Sequence, residues 1–159
     1  MVFIQDSGEE TMVDCTNIER PSWPEVWMAL AEKISERSYD PRLRVGAIIV
    51  SVDNTSVLSV GYNGNARGLP NVPESSEPGK SGFLHSELNA CIKADYHFLG
   101  EKVMYCTHST CRDCARILIN FGISRFVYKT KYRDASGLDL LTQGGIEVMS
   151  LDDAVLKAR

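Results

Sequence analysis

Residues 102–130 read KVMYCTHSTCRDCARILINFGISRFVYKT, and this stretch decides the fold. KVMYCT (102–107) is a short apolar run of the kind that forms a buried strand. CRDCARILINFG (111–122) carries apolar residues at helical spacing and is stopped by Gly122. ISRFVYKT (123–130) returns to β-branched and aromatic residues, so the whole is a strand–helix–strand unit. Upstream, SWPEVWMALAEKISERS (22–38) reads as an amphipathic helix ending near Ser38, with Ser22 and Glu25 forming a capping box. LRVGAIIVSV (43–52) and SVLSVGYN (56–63) read as two strands of a hairpin, and LHSELNACIKA (84–94) as a helix. Downstream come a short helix (135–145), a last strand (146–151) and a closing helix (152–159). A hairpin followed by strand–helix–strand units predicts an α/β protein with three layers, α/β/α, around a five-stranded mixed sheet.

The 159 residues amount to one domain. Residues 1–20 are read as a flexible arm, a candidate oligomer contact, and 21–159 as the domain proper. The arm is acidic and lacks the basic-then-apolar layout of a signal peptide, and no run of 18 apolar residues occurs. The expected location is cytoplasmic, with no membrane partner. A formal net charge of −4 argues against a polynucleotide partner, which relies on clustered Lys and Arg. It is compatible with a small substrate carrying one phosphate. The five cysteines, an odd count, argue against a disulfide scaffold and for metal or redox chemistry at Cys111-x-x-Cys114. Between the second strand and the next helix, residues 65–82 form a polar loop rich in Pro and Gly, long enough to suggest function or mobility.

The chemistry is concentrated at two helix starts. His85-Ser86-Glu87 opens one, and Cys111 and Cys114 open the other. Zinc favours nitrogen and thiolate donors, and a catalytic site keeps three protein ligands with a fourth position for water. His85, Cys111 and Cys114 meet that count, and a helix N-terminus favours the thiolate form. Glu87 is near enough to serve a metal-bound water as acid and base without ligating. Alone, the Cys-x-x-Cys reads equally as a redox pair, and a lone His-x-Glu as a surface coincidence. Their combination points to zinc hydrolysis. The rivals are a zinc-stabilised interaction module, which has no use for Glu87, and a redox protein, which leaves His85 and Glu87 unexplained. Cys91 and Cys106 read as small apolar packing. His108 reads as a loop residue.

The pattern H-x-E followed by C-x-x-C matches the signature of zinc deaminases, with Thr110 where that signature has Pro. Over about Ser22 to Leu151 the chain resembles the deoxycytidylate (dCMP) deaminase family of the cytidine-deaminase superfamily. The stretches that carry the resemblance are ERSYDPRLRVGAIIV (36–50), GYNGNARG (61–68), HSELNA (85–90), THSTCRDCARILINFGISRFVY (107–128) and KYRD (131–134). It implies a cytidine-deaminase-like fold and a Zn2+ cofactor. It also implies hydrolytic removal of the 4-amino group of dCMP, giving dUMP and ammonia, with Glu87 moving the protons. Related substrates such as dCTP, CMP or cytidine are the alternative, and adenosine in tRNA is disfavoured by the acidic balance. Asn63 is expected to contact the base or sugar, with a plain turn Asn as the other reading. Backbone amides around Ser86 and Thr110 are expected to hold the pyrimidine carbonyl. Arg37, Ser38 and Tyr132 are the favoured phosphate contacts, with Arg42, Arg44 and Lys131 close behind. Family members are commonly homohexamers regulated by dCTP and dTTP, so a homo-oligomer with those effectors is the implied state.

Overall fold

The computed structural model describes the backbone of residues 2–6 and 9–13, and residues 19–132 and 134–159 with their side chains. Strands β1 (Val2–Asp6) and β2 (Glu9–Val13) pair antiparallel with each other as a separate two-stranded sheet. The rest of the expected 1–20 arm, apart from Glu19 and Arg20, lies outside the described residues.

Helix α1 (Trp23–Ser35) starts on the capping box read from the sequence: Ser22 N donates to Glu25 Oε2 at 2.7 Å. It stops earlier than expected. Arg37 N donates to Ile34 O and Ser38 N to Ser35 O, bonds of 3.0 Å each, so the chain tightens into i→i+3 turns before Ser38. Strands β3 (Gly46–Ser51) and β4 (Val57–Tyr62) form the predicted hairpin. There follow α2 (Ser86–Lys93), β5 (Lys102–His108), α3 (Arg112–Phe121), β6 (Ile123–Thr130), α4 (Ser136–Gln143), β7 (Glu147–Ser150) and α5 (Leu151–Ala158). Gly122, at φ 79°, ends α3 in the left-handed conformation that makes Gly the usual stop.

The five-stranded sheet runs β4-β3-β5-β6-β7. β3 is antiparallel to both its neighbours, while β5, β6 and β7 are parallel, so the sheet is mixed. Its central strands are covered on both faces, which is why they read as continuous apolar runs. Ala47, Ile49, Met104, Cys106 and Phe126 face the layer of α2, α3 and α4. Ile48, Val50, Val103, Tyr105 and Val127 face α1 and α5. The three layers are those expected. Among the described residues no helix is long and apolar enough to cross a membrane.

Candidate active site

Each half of the predicted metal set sits on a helix N-cap. His85 caps α2 and Cys111 caps α3, where Cys111 Sγ accepts from Cys114 N at 3.5 Å. Position is fixed from below. Gly64 and Leu84 exchange backbone hydrogen bonds of 3.1 and 2.8 Å, clamping the residue before His85 to the end of β4. Ser59 Oγ donates to Ala90 O (2.7 Å) and Asn89 Nδ2 to Tyr62 O (2.9 Å), tying α2 to the same strand. Gly61 allows the approach, because a Cβ there would stand 2.1 Å from Ser86 O and 2.5 Å from Ala90 N. Cys111 follows the carboxyl end of β5, the end at which α/β sheets bind ligands.

His85 Nδ1 lies 3.5 Å from Cys111 Sγ and 3.4 Å from Cys114 Sγ, and all three ligand atoms fall within 4.8 Å of one another. Zinc held tetrahedrally at about 2.0–2.1 Å from nitrogen and about 2.3 Å from sulfur sets an N···S edge of about 3.5 Å. Both N···S edges therefore match what zinc requires, and Glu87 stands outside the ligand cluster. The thiols are already differentiated. A hydrogen bond from Cys114, then one from His85, holds the Cys111 thiol down to about 3. Donating that bond, together with burial, pushes Cys114 up. His85 is pushed up to about 8, chiefly by its bond to Cys111. Zinc bound by these residues would displace the remaining protons, as in other sites of this donor set.

Glu87 is only 5% exposed. Ser86 Oγ donates to its Oε2 at 3.0 Å, and Cys106 Sγ lies 3.7 Å from Ser86 Oγ. Burial and the Glu87 charge both push the Cys106 thiol up, so Cys106 stays protonated and donates to the serine. Cys91 and Cys106 are buried in the core facing α2 and α3, the packing role expected of them. His108 is the last residue of β5 and not a loop residue; its Nδ1 lies 3.1 Å from Thr107 Oγ1, and burial lowers its pKa.

The remaining candidates differ in their placement. Thr110 is fully buried in the turn before Cys111, and Tyr132 N donates to Ser109 Oγ (2.7 Å) in that same turn. Both are thereby linked to the site. Asn63 and Ser38 bond within the loop between α1 and β3. Asn63 Oδ1 accepts from Val45 N (2.8 Å), while its Nδ2 donates to Leu43 O (2.9 Å) and Asp40 Oδ2 (3.3 Å). Ser38 Oγ donates to Asn63 O (2.8 Å) and accepts from Asp40 N (3.2 Å). Together they brace the loop from α1 to β3. Arg42 is tied to the 65–82 loop, donating through Nη1 to Ser76 O (2.6 Å) and Glu77 O (2.8 Å). Arg37, Arg44 and Lys131 are exposed. Sequence reasoning missed Asp40 and Ser109, whose roles depend on backbone groups that no motif announces.

A family model for the cytidine and deoxycytidylate deaminase zinc-binding region matches residues 21–130. The deoxycytidylate deaminase of Saccharomyces cerevisiae is 32% identical over 157 residues, covering 91% of this chain and 49% of that protein. That of Homo sapiens is 34% identical over 122 residues, covering 71% of this chain and 68% of the human protein. This chain spans about half the length of the yeast proteins it matches. Among solved structures, the dCMP deaminase of cyanophage S-TIM5 in complex with dCMP and dUMP superposes with a TM-score of 0.73 at 34% identity. That match covers 84% of this chain and 99% of the phage chain.

Proposed function

Since this chain belongs to the cytidine and deoxycytidylate deaminase family, we propose that it deaminates dCMP by zinc-dependent hydrolysis, giving dUMP and ammonia. One observation carries the reading: three ligand atoms within 4.8 Å of one another, with both N···S edges at zinc-tetrahedral length, and a buried carboxylate, Glu87, outside that cluster. A purely structural zinc site has no use for that carboxylate. Zinc held by His85, Cys111 and Cys114 supplies a Lewis acid and a water whose pKa falls towards about 7. Glu87 would accept the water's proton and deliver it to N3 of the pyrimidine as the water oxygen bonds to C4. It would then carry the remaining proton of that oxygen to the departing amine, so that the C4–N bond breaks and the C4 carbonyl forms. Backbone amides near Ser86 and Thr110 hold the pyrimidine carbonyl in place. Asn63 contributes by holding the loop that carries residues 40–45, with one oxygen lone pair left for a sugar hydroxyl.

Phosphate recognition falls to Arg37 and to Tyr132, which is tethered to the turn before Cys111, with Arg44 and Lys131 as further cations. Each charge-assisted contact is worth about 1.5–3 kcal/mol. Two of them separate dCMP from deoxycytidine by at least about a hundredfold in kcat/KM. The same reading takes the active state as a homo-oligomer, a hexamer, under dCTP and dTTP control. Exposed Ile92, Tyr96 and Leu99 around the end of α2 supply apolar surface for such assembly. The test is ammonia release from cytosine, deoxycytidine, dCMP, CMP and dCTP, with light scattering in the presence and absence of dCTP. Preference for dCMP, weakened by Arg37→Ala, is the expected outcome. Equal turnover of deoxycytidine would overturn the phosphate assignment.

A further inference from the structure

A groove of about 330 Å³ opens between α1 and α5 on the sheet face opposite α2 and α3. Val103, near the start of β5, lines it, whereas Cys111 follows the other end of that strand. We infer that this groove is a second small-molecule site, taking a planar aromatic compound that bears a single carboxylate.

The first observation is Tyr105. Its side chain lines the groove, and the residue is only 4% exposed. Its hydroxyl makes no hydrogen bond to any described residue and is not sealed in the core, so it stands open to a partner in the groove. The second is a flat aromatic wall. Trp23 is 49% exposed and stacks on Trp27 with ring centroids 5.0 Å apart and planes 14° from parallel. The third is polar geometry at the rim. Asn54 Oδ1 accepts from Trp27 Nε1 at 2.8 Å, which fixes the amide and leaves Nδ2 as a donor.

Charge selects the ligand's other end. Arg125 and Lys157 line the groove and share one carboxylate, Glu147, at 2.6 and 2.5 Å. Two cations against one anion leave a single positive charge there, on a chain whose formal net charge is −4. One carboxylate balances it, whereas a phosphate monoester brings about −1.5 to −2. The volume lies at the small end of the range for ligand pockets, about 300–1,000 Å³, so the ring system is mono- or bicyclic.

The test uses the full chain and 2-naphthoate as probe, with neutral 2-naphthamide as its control. Binding is followed calorimetrically and by tryptophan fluorescence at low salt. Saturable binding of one naphthoate per chain is expected, with the amide binding more weakly. Tyr105→Phe, which removes only the hydroxyl, should weaken naphthoate about three- to tenfold. Arg125→Gln should remove the preference for acid over amide. Saturating dCMP should leave naphthoate binding unchanged, which separates this site from the zinc cleft. Absence of saturable binding, wild-type affinity in Tyr105→Phe, or displacement by dCMP would each overturn the assignment.

Discussion

Ser86 Oγ donates a hydrogen bond of 3.0 Å to Glu87 Oε2. The two residues are adjacent in sequence and both buried, so one oxygen of the carboxylate is held while the other is left to handle protons. Cys106, a thiol kept protonated by burial, completes the chain behind the serine. Ser86→Ala is expected to lower kcat for dCMP about three- to tenfold, with KM and zinc content little changed. Steady-state kinetics beside metal analysis checks this, and a rise in KM alone would assign Ser86 to substrate binding.

Glu87→Gln keeps the shape of the side chain and removes its ability to accept a proton. Zinc content should stay at the wild-type level while turnover falls by about 10²–10⁴-fold. Loss of the metal in this variant would make Glu87 a ligand and change the mechanism.

Gly61 is the seat of α2. In Gly61→Ala the added methyl meets backbone atoms of Ser86 and Ala90, which cannot swing aside as a side chain would. Overpacking of this kind costs about 1–3 kcal/mol. Urea unfolding should register that loss. Because the displaced helix carries His85, a chromophoric chelator should also strip zinc faster than from the wild type.

Glu147 gives the fold a dependence on pH. Hydrogen bonds from Lys157 first, then Arg125, hold its carboxyl below the usual carboxylate range. A folded pKa below the unfolded one stabilises the protein above the unfolded value, about 4.3, and that contribution is lost as pH falls through the folded value. The pair is substantially exposed, so solvent screening limits the effect to at most about 1 kcal/mol. Glu147→Gln should therefore be less stable than wild type at neutral pH, and the difference should vanish in unfolding curves recorded near the acid limit.

The sequence carried the layers and the metal set because both rest on local signals. The stretch 102–130 held its strand, helix and strand in order, and His85, Cys111 and Cys114 stood at helix starts that a pattern of apolar spacing locates. What it did not carry was long-range hydrogen bonding. Ser38 and Asn63 are polar residues in suggestive stretches whose side chains also bond within one another's neighbourhood, with Asp40 between them. Such pairing joins residues 25 apart, and only the folded backbone shows which carbonyls and amides need partners. Arg42 is a similar case. It is one cation in a basic run until the 65–82 loop folds back to offer it two carbonyl oxygens. The groove beside Tyr105 left no trace in the sequence, where that residue is simply one of the apolar positions of β5.

The central claim is that His85, Cys111 and Cys114 hold the zinc on which dCMP turnover depends. The measurement is dUMP formation during zinc titration of chelator-stripped protein, with Cys114→Ser treated in parallel. Turnover should rise in proportion to bound zinc and break at about one equivalent per chain, while Cys114→Ser recovers neither metal nor activity. Undiminished turnover of dCMP by zinc-free protein would contradict the account.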